Sequence, residues 1–100
     1  MNILICANTI EIAKNKLMDI MDKLPNNCIE SCEIGKKSNS HLRVKNGDKY
    51  ITSVAQEGIR SRFHKIYVHN DVDEKFVNFV LMPMLAYVKF VDRDDVLVRF

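Results

Sequence analysis

The side chains in this sequence that could do chemistry are three cysteines, three histidines and a strongly uneven distribution of charge. Cys6, Cys28 and Cys32 are odd in number, which argues against a closed disulfide framework. Two thiols with His41, His64 and His69 could supply zinc ligands, but a structural site needs about four at close spacings, and no pair here has them. No metal is expected. A Cys–His nucleophile would need Cys28 or Cys32 beside a histidine, and nothing in the order of residues places them together. Asp71, Asp73 and Glu74 could offer two carboxylates to a metal-dependent nuclease. They fall at a strand-to-helix junction, however, where acidic residues complement the helix dipole, and that reading is preferred. Ser38, Ser40, Ser53 and Ser61 lack the context of a nucleophile elbow. Neither enzymatic activity nor a cofactor is expected.

Charge is the stronger signal. Between Lys36 and Lys65 stand eight basic residues (Lys36, Lys37, Arg43, Lys45, Lys49, Arg60, Arg62 and Lys65) against two acidic ones, Asp48 and Glu57, in a chain of net charge +2. The remainder is therefore net acidic, with Asp71, Asp73, Glu74, Asp92, Asp94 and Asp95 in its last third. A basic hairpin and loop can track a phosphate backbone or meet an acidic protein surface. Base stacking would need aromatic residues among the charges. Only Tyr50 and Phe63 qualify, and both occupy strand positions expected to face inward. Alternating Lys and Arg also mark an ordinary solvated strand face, so charge alone does not choose between these readings.

The elements that must position these residues follow from periodicity. Residues 2–7 form a short apolar run with no basic segment before it, which reads as a buried strand rather than a signal peptide. Asn8, with Glu11 three positions on, resembles a capping box. Ile10, Ala13, Leu17, Ile20, Met21 and Leu24 then make one apolar stripe of a helix ending at Pro25. Residues 28–34 read as a strand and 35–40 as a polar loop. Alternation over 42–45 and 50–54 about Asn46-Gly47 predicts a hairpin. Residues 63–69 read as another strand. A helix over 73–88 is apolar on more than one face and should kink or break at Pro83. Residues 96–98 make a last strand.

Several of these segments resemble phage large terminases and related helicase-like P-loop ATPases. The stretch from Ile3 to Ala13 is similar to the family's strand, small-polar turn and helix, with Ala13 a turn into the helix. Leu42 to Ile51 resembles its Asn-Gly hairpin, and Gly58 to Val68 its glycine-arginine loop before the magnesium-binding strand. The likeness spans roughly residues 2–90. It lacks the glycine-rich loop ending in Lys-Ser or Lys-Thr that holds nucleotide phosphates, and His69-Asn70 stand where the family has its acidic pair. The resemblance thus implies a RecA-like fragment without its nucleotide site, and a phage origin.

One hundred residues, 47% apolar and 28% charged, bound the answer to a single soluble domain over 1–100. No apolar run approaches the roughly 18–20 residues that span a bilayer, so a cytoplasmic protein without membrane contact is expected. The expected fold is α/β: a small mixed sheet with two packed helices in the order β-α-β-β-β-β-α-β. The expected function is non-enzymatic binding of a host or viral protein such as an ATPase, which it would inhibit or adapt. Docking would use the basic residues named above, with Phe79 and Met82 as apolar anchors. The alternative is a nucleic-acid-binding accessory protein using the basic 36–65 hairpin and loop. Self-association stays open.

Overall fold

The computed structural model describes residues 1–35, 39–55, 62–85 and 93–100, and in the last stretch the side chains from residue 95 onward. Six strands form one mixed sheet: β1 Asn2–Ala7, β2 Ile29–Glu33, β3 His41–Val44, β4 Lys49–Val54, β5 Lys65–Val68 and β6 Leu97–Arg99. Their order is β2-β3-β4-β1-β5-β6. Strands β4, β1, β5 and β6 are parallel neighbours, while β3 lies antiparallel between β2 and β4. Helix α1, Ile10–Asp22, follows β1. A second helical segment follows β5 and comprises α2 Glu74–Phe76, a π-helical turn Val77–Leu81 and α3 Met82–Met84. A short α4, Arg93–Val96, leads into β6. The expected α/β order is thus the observed one, with α4 added.

The central strand explains the layering. Ile3, Leu4, Ile5, Cys6 and Ala7 are all buried, because alternate side chains meet different layers. Ile5 and Ala7 pack with Ala13 and Leu17 of α1 and with Leu42 and Val44 of β3. Leu4 and Cys6 pack with Val77, Leu81 and Leu85 from the second helical segment. A parallel strand covered on both faces reads as an unbroken apolar run, as this one does. The result is a three-layer sandwich. No helix among the described residues is long and apolar enough to cross a membrane.

Several local expectations need correction. The α1 cap is Thr9 and not Asn8: Thr9 Oγ1 accepts the Ile12 N–H at 3.3 Å. Asn8 is drawn sideways instead, its Nδ2 donating to the Asp71 carbonyl at 2.9 Å in the loop after the neighbouring strand. Helix α1 stops at Asp22, short of Leu24, because Pro25 holds the preceding residue out of the helical region. Gly47, at φ +102°, closes a three-residue hairpin loop, with its N–H on Val44 O and Asp48 O accepting from Val44 N–H.

The second helix ends at Met84, well before 88. Pro83 has no N–H to give Phe79, and the Met82 N–H reaches back five residues to Val77 O in the wider π turn. Leu85 is already extended, and Phe63 donates to Met84 O at 2.8 Å, so the chain leaves the helix where it meets the approach to β5. Val88 lies outside the described residues. Strand β5 is shorter than 63–69, Phe63 making only an isolated bridge to Leu85. The last strand pairs with β5 of the same chain.

Candidate functional site

The basic residues of the hairpin sort by the two-residue period of β3. Leu42 and Val44 point beneath α1, so His41 and Arg43 emerge on the opposite face and are exposed. Register places Lys49 of β4 directly across from Arg43, and Ile51 across from His41. On the other side Ser31 and Glu33 of β2 are the partners of Arg43 and His41. Two like charges opposite one another on adjacent strands are destabilising. Among the described residues neither Arg43 nor Lys49 has an ion-pair partner, whereas Asp19, Asp48 and Glu74 pair with Lys16 and Lys23, the Met1 amine and Arg99.

Tertiary contacts bring a third cation to this pair. Lys49 N–H donates to Met1 O at 2.8 Å, and the Met1 amine meets Asp48 Oδ1 at 3.0 Å, tying the start of β4 to the start of β1. On the far side of β1, His64 N–H donates to Asn2 O at 2.8 Å while His64 Nδ1 accepts the Asn2 N–H at 3.0 Å. This fixes the segment entering β5 and sets Arg62 beside Asn2. A cleft of about 210 Å³ results, lined by Asn2, His41, Arg43, Lys49 and Arg62 together with Leu42, Tyr50, Ile51 and Phe63. A second concavity of about 390 Å³ continues across β2, lined by Ser31, Cys32, Glu33, His41 and Arg43. His41 and Arg43 belong to both.

Arg43, Lys49 and Arg62 are therefore gathered. Lys45 stands exposed on the hairpin loop. Lys65 is turned to the α1 side, its Nζ 5.0 Å from the Tyr67 ring centroid. Lys36, Lys37 and Arg60 lie outside the described residues. Phe79 is 79% exposed on the π turn, whereas Met82 packs against the core beneath it. Asn2 was not singled out in the sequence, since only parallel pairing on both sides of β1 brings it to the cleft.

Tyr50 and Phe63 line the cleft beside the cations, but neither is exposed as a stacking surface. Phe63 is buried in the core, and Tyr50 is half-buried among the α1-side residues. Burial first, then Asp48 and Tyr67, holds the Tyr50 hydroxyl above the usual phenol range. Cys6 is pushed up to about 11 by burial alone, which makes it a poor nucleophile. Asp73 Oδ1 accepts the Lys75 N–H and caps α2, and Glu74 Oε2 meets Arg99 Nη2 at 2.6 Å. Among the described residues no three His, Cys, Asp or Glu side chains come together as metal ligands.

The cleft lies at the amino-terminal ends of β1 and β4 and beside the segment entering β5. Open α/β sheets take nucleotides at the opposite, carboxyl ends of their strands. Here that end is laced together by Asn8 with Asp71 O, and by Arg99 Nη1 with the carbonyls of His69, Asn70 and Val72 at 3.2–3.3 Å. The fold and this face define a three-layer mixed α/β protein with a cationic sheet face. No known protein family, curated protein or solved structure matches the chain.

Proposed function

We propose that this chain is a non-enzymatic binding protein that docks an acidic partner protein on the cationic face of β2, β3 and β4. The observation that carries this reading is the like-charged register pair Arg43–Lys49, joined by Arg62 around one cleft and left without an ion pair among the described residues. Local rules broken at a cost in stability are most often broken for function. The inward placement of Tyr50 and Phe63 favours protein over single-stranded nucleic acid, because among the described residues no exposed aromatic accompanies these charges as a base-stacking platform. By the resemblance described above, the partner is a host or viral protein such as an ATPase, which a phage-encoded chain of this kind inhibits or adapts.

Fluorescence anisotropy with a labelled Glu-rich peptide and with mixed-sequence DNA and RNA tests the reading. The peptide is expected to bind at low salt, and Arg43→Ala with Lys49→Ala to remove that binding. Nucleic-acid binding would show log K falling with log salt at a slope of about −0.9 per phosphate contact. Such a slope, with no peptide binding, overturns the reading in favour of a nucleic-acid accessory protein.

A further inference from the structure

We infer that the 210 Å³ cleft is a recognition pocket for a single phosphorylated side chain of the partner protein. The inference rests on the reading above and makes its ligand specific. Pockets that enclose a drug-sized ligand or cofactor start at about 300 Å³, so the size of this cleft suits a single side-chain group. Its lining is mixed: Arg43, Lys49 and Arg62 stand beside Ile51 and Phe63. A group that joins a charged tip to an apolar stem meets both kinds of lining.

The charge count selects the tip. A carboxylate carries one negative charge and satisfies one guanidinium fork, which would leave two of the three cations unanswered. A phosphomonoester carries about −1.5 to −2 at neutral pH and presents three acceptor oxygens, enough for two arginine forks and an ammonium. Two of the three cations are arginines, the side chain suited to bidentate oxyanion contact. Among the described residues no acidic side chain lines this cleft; Glu33 lines the adjoining concavity.

Isothermal titration with a phosphotyrosine tripeptide, a phosphoserine tripeptide and their unphosphorylated parents tests the inference, with inorganic phosphate as competitor. At least one phosphopeptide is expected to bind about tenfold or more tighter than its parent, as expected from charge-assisted contacts. Phosphate should compete with it. Arg43→Gln and Arg62→Gln should each weaken it about tenfold, with melting temperatures no lower than that of the parent protein, both side chains being exposed. Equal affinity for phosphorylated and unphosphorylated peptides, or unchanged affinity in both variants, overturns the inference. So does tighter binding of a 5′-phosphorylated oligonucleotide. If a Glu-rich peptide binds without any preference for phosphate, the pocket assignment falls and the wider reading stands. If no peptide binds, both fall.

Discussion

Replacing Lys49 with glutamate should make the protein more stable while abolishing binding to an acidic partner. Arg43 and Lys49 are register partners on β3 and β4, both exposed and both positive. Opposed like charges cost, and opposed unlike charges contribute, about 0.2–1 kcal/mol per cross-strand pair. Lys49→Glu both removes the repulsion and installs an attraction, and solvent exposure holds the total to the lower part of that sum, about 0.5–1 kcal/mol. For a domain of this size that corresponds to a rise in melting temperature of about 2–8 °C. A double-mutant cycle with Arg43→Gln and Lys49→Gln, read by urea unfolding, isolates the pair. The cycle should report a repulsive coupling that fades at about 1 M salt, where the Debye length is about 3 Å. A coupling of zero or of attractive sign at low salt would refute the reasoning. The face would then be an ordinary solvated one, and its charges no indication of a partner.

The remaining predictions concern the scaffold. The Cys6 thiol is raised to about 11 in the fold, so the folded state holds its proton longer than the unfolded chain does. Stability should therefore be intact below about pH 9 and fall as pH rises toward 11, by up to about 2–3 kcal/mol. Tyr50, also raised, adds in the same direction. Guanidinium unfolding at several alkaline pH values should show a shallower decline in Cys6→Ala. Arg99→Ala removes the donor to three loop carbonyls and the partner of Glu74. It should cost about 1–3 kcal/mol, and Arg99→Lys should not fully restore it, since an ammonium lacks the planar fork. Thr9→Ala should cost about 1 kcal/mol by removing the α1 cap, a larger loss of helix stability by circular dichroism and thermal unfolding than a change at Asn8 on the same measure.

Period and punctuation determine what neighbours in sequence do, and those parts of the protein were legible from the residues alone. The apolar run at Ile3–Ala7, the stripe of α1 and the hairpin about Gly47 rest on interactions a few residues long. The hairpin's register was not legible: a two-residue Asn46-Gly47 turn would set Val44 opposite Lys49, and it is the three-residue loop closed between Val44 and Asp48 that sets Arg43 there instead. Boundaries were less secure where a distant element intervened: Asn8 lost the cap to Thr9 through its bond to Asp71 O, and the second helix gave way to an extended Leu85 that bridges Phe63. The strand order was not legible at all. Parallel neighbours are joined by long connections that carry no register signal, so nothing local says that β1 sits between β4 and β5. That placement alone brings Asn2 and Arg62 to the Arg43–Lys49 pair, and it turns Lys65 away toward Tyr67. By itself the sequence determined that the charges exist and that a hairpin carries several of them. Tertiary structure decided which charges share a cleft, because side chains far apart in the chain meet only when sheet pairing and two buried faces specify where each strand must lie.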